Sequence, residues 1–148
     1  MNIYGIDTSF LVAAEITAHP DHPAARQTLR RLLTSGDGNQ LALVPQVLAE
    51  FIHVATDPRR FERPLDSVAA IERARSWWLA RETRPLFPNA AATVRFLDWM
   101  RDHHLGRKRL LDTLLASTWR EAGVSRLLTL NPADFAIFGG FETVAWRT

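Results

Sequence analysis

The chain has no cysteine. That excludes disulfides, thiol nucleophiles and thiolate metal sites together, and it fits a reducing compartment. No apolar run approaches the roughly 18–20 residues that a membrane span requires. No leader-like opening is visible, since only a few apolar residues separate Met1-Asn2 from Asp7. A soluble, cytoplasmic protein with no membrane partner is therefore expected. Internal repeats, low-complexity tracts and linkers are also missing, so residues 1–148 read as one domain. Lysine does not occur after Lys108. This argues against a receiver domain phosphorylated on aspartate, whose acid pocket needs a lysine near the end of the chain.

What remains is a chain able to bury a core, with 47% hydrophobic residues. Its net charge is only +2, and the basic charge is mostly arginine, as in Arg30-Arg31, Arg59-Arg60 and Arg107-Lys108-Arg109. The planar guanidinium fork suits phosphate, although solvated helix faces account for any one cluster equally well. Short apolar strands are expected at 2–6, 41–44, 126–130 and 143–146. Helices are expected at 8–16, 24–34, 45–56, 65–79, 90–103 and 110–122, with turns at 19–23 and a basic loop at 106–109. Pro45 suits a helix start, Asn89 a cap and Gly123 a stop. Val68, Ile71 and Trp78 mark the expected buried face of the 65–79 helix. Strands alternating with helices imply a parallel sheet covered on both faces, an α/β/α arrangement. Such sheets bind ligands at the carboxyl ends of their strands.

The residues just beyond those ends carry the chemistry. Asp7 follows the first strand in Ile6-Asp7-Thr8-Ser9, and Glu50 is an acid inside the apolar helix that Pro45 opens. Asp112 begins the 110–122 helix, and Asn131 and Asp134 follow the 126–130 strand in Thr129-Leu130-Asn131-Pro132-Ala133-Asp134-Phe135. Singly, each has a plainer account as a cap, a dipole partner, a turn former or a solvated acid. Gathered together, carboxylates repel and raise one another's pKa unless a cation intervenes. Oxygen ligands without cysteine or paired histidines select Mg²⁺ or Mn²⁺. Such ions activate water and stabilise the leaving oxygen in phosphodiester hydrolysis.

These motifs, in this order, resemble the PIN-domain family, and the chain's size resembles the family's VapC branch, the ribonuclease toxins of type II toxin–antitoxin pairs. The resemblance implies a PIN-like three-layer α/β/α fold with a central parallel sheet of about four to five short strands. It implies a single-strand-selective endoribonuclease that uses Mg²⁺, with Mn²⁺ as an alternative, acts on RNA, and is neutralised by a cognate VapB-type antitoxin; a homodimer is expected. Asp7, Glu50 and Asp112 match the family's three main acids as catalytic metal ligands. The place of its fourth acid holds neutral Asn131, and Asp134 matches a second acid before Phe. Either residue completes the shell, and the number of ions stays open because an amide brings an oxygen but no charge. Ser9 and Thr129 are the expected supporting hydroxyls, and Arg107, Lys108 and Arg109 the expected RNA contacts. A second reading, a catalytically weak RNA-binding regulator, is motivated by Asn131. His53 and the adjacent His103 and His104 are assigned to structure, since neighbouring positions do not share a helix face. Trp77 and Trp78 are expected to point to different faces, one to the core and one to an interface.

Overall fold

The computed structural model describes residues 2–145. Five strands form one parallel sheet in the order β3-β2-β1-β4-β5. The chain runs β1 (Ile3–Ile6), α1 (Thr8–Glu15), α2 (His22–Leu33), β2 (Gln40–Leu43), α3 (Pro45–Ala55), α4 (Ser67–Leu79) and β3 (Thr83–Pro85). It continues through α5 (Ala90–Asp102), a 3₁₀ turn (Arg107–Arg109), α6 (Leu110–Glu121), β4 (Arg126–Leu128), α7 (Ala133–Ala136) and β5 (Glu142–Thr143). Right-handed crossovers put α1–α4 on one face and α5–α7 on the other. The packing agrees: α1 lies on α2 and α3, and α3 on α4, while α6 lies on α5 and α7. This is the expected three-layer α/β/α fold.

The strand order reverses direction at β1. From β1 the chain passes to β2 on one side and later returns through α5 and α6 to β4 on the other. Ile6 pairs with Leu128, so the next residues, Asp7 and Thr129, stand side by side at the carboxyl edge of the sheet. A topological switch point of this kind leaves a crevice there. Buried Ile6, Leu41, Leu43, Leu127 and Leu128 explain why these strands read as unbroken apolar runs. Gly5 admits α6 to the sheet: a β-carbon there would lie 2.7 Å from Trp119 Cε2 and 2.9 Å from Leu127 Cδ2.

Four expectations need correction. The strand β3 was not anticipated, because Thr83-Arg84-Pro85 buries only Thr83 and carries a proline that only an edge position tolerates. The helix α2 starts at His22, inside the expected turn, with Pro23 in its first turn. Residues 107–109 form a 3₁₀ turn rather than an open loop. The α4 helix buries Ala70, Ala74 and Trp77, whereas Val68 is 72% and Ile71 45% exposed. Small alanines let the helix lie close, and their weak hydrophobic signal hid the true face. The expected last strand is Glu142–Thr143, and Trp146 lies outside the described residues.

Candidate active site

The tripeptide after β1 builds the floor of the site. Asp7 caps α1, accepting the Phe10 N–H at 3.0 Å on Oδ1. The same oxygen accepts the Ser9 hydroxyl at 2.7 Å, and Thr129 donates its hydroxyl to the other, Oδ2. Ser9 Oγ accepts from the Leu130 N–H at 3.0 Å, and Thr129 Oγ1 from the Asn131 N–H at 3.0 Å. The two hydroxyls therefore tie the turn after β4 to the acid after β1. Burial pushes the Asp7 carboxyl above the usual range; the bonds from Thr129, Phe10 and Ser9 pull it down, and the Asp134 charge adds to the rise.

Around that floor stand the other acids. Glu50 receives the Thr8 hydroxyl at 2.8 Å on Oε2 and the Gln46 amide at 3.1 Å on Oε1. Gln46 lies one turn earlier on α3 and also donates to the Leu111 carbonyl at 2.9 Å, joining α3 to the start of α6. Asp112 sits in the first turn of α6 with its pKa raised to about 6. Burial is the main cause, the charges of Asp134, Asp7 and Glu50 add to it, and Arg109 opposes it. Asp7, Ser9, Glu50, Asp112, Asn131 and Asp134 all line one cleft of about 540 Å³. The fold thus brings together the acids and the amide that the sequence singled out, with Thr129 directly behind them.

The basic triplet stands elsewhere. Arg107 and Lys108 are exposed, and none of the three residues lines the cleft. Arg109 turns inward, its terminal nitrogen donating to the Asp134 carbonyl, while its Nε is buried without a hydrogen-bond partner. Thr8, Gln46, His19, Arg60 and Phe61 also belong to the site or its rim and were missed. Gln46 was detectable, four residues before Glu50 on the same helix face. Thr8 opens α1 beside Asp7, and His19, Arg60 and Phe61 come from loops whose placement no local pattern encodes.

Whether these residues fit a metal follows from their chemistry. Carboxylates and a carbonyl oxygen form a hard-oxygen donor set, and Asp112 is raised by neighbouring negative charge as well as by burial. Among the described residues no group of three His, Asp or Glu side chains is gathered closely enough to hold an ion as it stands. Asp7 and Glu50 are instead held by hydroxyls, an amide and a backbone N–H. The donor types fit a divalent cation.

The arrangement defines a class. Residues 4–138 match the PIN domain family, and the chain belongs to it. Within that family it is similar to Ribonuclease VapC24 of Mycobacterium tuberculosis, being 30% identical over 142 residues that cover 90% of either protein. Solved structures show the same fold. M. tuberculosis VapC20, described as a sarcin-ricin loop cleaving toxin, aligns with a TM-score of 0.70 at 20% identity, covering 95% of this chain and 98% of that one. Rickettsia felis VapBC2, bound to a DNA fragment from its promoter, aligns at 0.66 and 20% identity, covering 98% and 99%. VapBC-1 of nontypeable Haemophilus influenzae aligns at 0.66 and 17% identity, covering 99% of each chain.

Proposed function

We propose that this chain is a VapC-type toxin: a single-domain, cytoplasmic endoribonuclease that depends on Mg²⁺. The observation that carries the reading is the convergence of Asp7, Glu50, Asp112 and Asp134 on one cleft at the switch point of the sheet. The VapC24 relatives support the branch, and the fold shared with VapC20 is consistent with it. Asp7, Glu50 and Asp112 hold the cation, with Asn131 or Asp134 completing the shell. When bound, Mg²⁺ activates water and offsets charge on the leaving oxygen. The chain's own part is positioning. Ser9 and Thr129 fix both oxygens of Asp7, while Thr8 and Gln46 fix those of Glu50. Arg109 holds the Asp134 turn beside Asp112 and opposes the rise of its pKa.

A toxin needs restraint, and the VapBC assemblies among the fold's relatives support a VapB-type antitoxin partner. An arginine from that partner matches the acidic cleft, because its fork bridges two carboxylates without supplying water. A homodimer completes the proposed assembly. The test is cleavage of labelled single-stranded RNA in Mg²⁺ and in chelator. Turnover in Mg²⁺ alone, lost in Asp7→Asn and Asp112→Asn, is expected. RNA binding without turnover in any divalent ion would favour the RNA-binding regulator.

A further inference from the structure

Part of the cleft lining differs in composition from the acids. Two loops build it: residues 16–21, between α1 and α2, bring His19 and Pro20, and residues 56–66, between α3 and α4, bring Arg60 and Phe61. Among the described residues that line the cleft, Arg60 is the one arginine or lysine. The loop carrying it is well anchored. The Arg60 and Phe61 N–H groups both donate to the Asp57 carbonyl, at 3.1 and 3.2 Å, and Leu65 N–H returns to the Ala55 carbonyl at 2.9 Å. Asp57 Oδ2 lies 3.9 Å from Arg60 Nε, while the Arg60 side chain stays 63% exposed. Phe61 packs partly against the core and also faces the cleft.

From this arrangement we infer that Arg60 and Phe61 form a nucleotide subsite that seats one unpaired RNA residue in the same cleft as the acids, with Arg60 on a phosphate and Phe61 against a base. The inference rests on the nuclease reading for its substrate, but its parts stand on their own chemistry. Four carboxylates line the cleft and repel a polyanion wherever no metal offsets them, so a cationic side chain in the same lining favours holding a phosphate there. Arginine does so with a fork that fits phosphate oxygens, and Arg60 stays 63% exposed with its Nε no nearer than 3.9 Å to Asp57 Oδ2. An aromatic ring beside such a cation is the usual stacking platform for a base of any identity. A paired duplex keeps its bases stacked on one another and offers no free face to Phe61, so the subsite selects single strands, loops and bulges. At about 540 Å³ the cleft falls within the range of small-ligand sites, which suits a nucleotide or two. The exposed Arg107 and Lys108 lie outside this cleft.

The test measures binding apart from cleavage. Fluorescence anisotropy follows a short labelled single-stranded RNA, an abasic strand of equal length and a duplex, in Mg²⁺, on the Asp7→Asn background. Arg60→Ala is expected to weaken binding of both single strands about tenfold and to lower the salt dependence by about one unit of slope, with Arg60→Lys restoring most of the loss. Phe61→Leu, which preserves an apolar contact with the core, is expected to weaken the base-bearing strand about tenfold and to leave the abasic strand and the duplex unchanged. Thermal melting of each variant checks that the fold persists. An unchanged affinity and salt slope in Arg60→Ala would overturn the subsite, as would equal weakening of base-bearing and abasic strands by Phe61→Leu. The parent chain cleaving no RNA in Mg²⁺ is a separate failure, that of the nuclease reading, and the binding comparison still decides the subsite.

Discussion

At the scale of single residues, the site is a charge held in check. Asp112 shows this most directly, because its pKa is raised from 3.8 to about 6 in the folded chain. A carboxyl with a raised folded pKa favours the folded state while it is protonated. Its contribution is therefore fully present below about pH 3.8 and is lost as pH rises through about 6. In chelator, the protein should melt at a higher temperature at pH 5 than at pH 7. The difference is on the order of 1 kcal/mol once screening of this part-exposed group is allowed for. Asp112→Asn should flatten that dependence, and a melting curve in each buffer checks it. Asp7 is also raised by burial, so Asp7→Asn should leave the metal-free melting temperature equal or higher while abolishing cleavage. Asparagine keeps an oxygen for the Phe10 N–H and Ser9 hydroxyl. A large loss of stability would mean that the Asp7 charge serves the fold rather than the chemistry. Asp7, Asp112 and Asp134 were legible in the sequence because strand ends and helix starts are local features, and Glu50 because it is an acid inside an apolar helix. Of their hydrogen-bond partners, Ser9 and Thr129 were legible and Gln46 was detectable at helical spacing from Glu50, whereas Thr8 meets Glu50 only after α1 and α3 pack.

At the scale of elements, close approach decides what the site can be. The carboxyl edges of β1 and β4 are aligned because Ile6 pairs with Leu128, and α6 reaches the sheet over Gly5. Gly5→Ala would place a methyl 2.7 Å from the buried Trp119 ring. Overpacking of that kind should cost about 1–3 kcal/mol and shift α6, with Asp112 on it, away from Asp7. Urea unfolding reads the first effect, and a drop in kcat larger than the loss of folded protein reads the second. The helices themselves were largely visible from their periodicity and punctuation. The exceptions were the face of α4, where alanines rather than Val68 and Ile71 go inside, and β3, whose edge position needs little buried side chain. The tryptophan pair points to different faces, with Trp77 rather than the expected Trp78 buried: Trp77 places its Nε1 on Glu15, while half-buried Trp78 meets Phe87 edge-on at 5.8 Å.

At the scale of the whole molecule, metal, partner and substrate act on one equilibrium. A cation that binds only the folded cleft should raise the melting temperature by roughly 5–10 °C at about a hundredfold excess over its Kd. That rise should be absent in Asp7→Asn and Asp112→Asn, and an equal rise in the variants would place the ion elsewhere. Co-expression with the neighbouring reading frame should yield a stable complex in which Mg²⁺ no longer activates cleavage; free chain and unhindered growth would remove the toxin reading. The sequence by itself determined the α/β/α class, most of the helices and strands, and which acids to inspect. Those follow from hydrophobic period, turn chemistry and residue type, which act over a few neighbours. Only the tertiary structure decided that Asp7, Glu50, Asp112 and Asp134 share a cleft, that Arg109 turns inward, and that Arg60 and Phe61 line the same cleft. Those juxtapositions join residues distant in the chain. They are set by strand order and by the packing of α1, α3 and α6, which no local run of residues specifies.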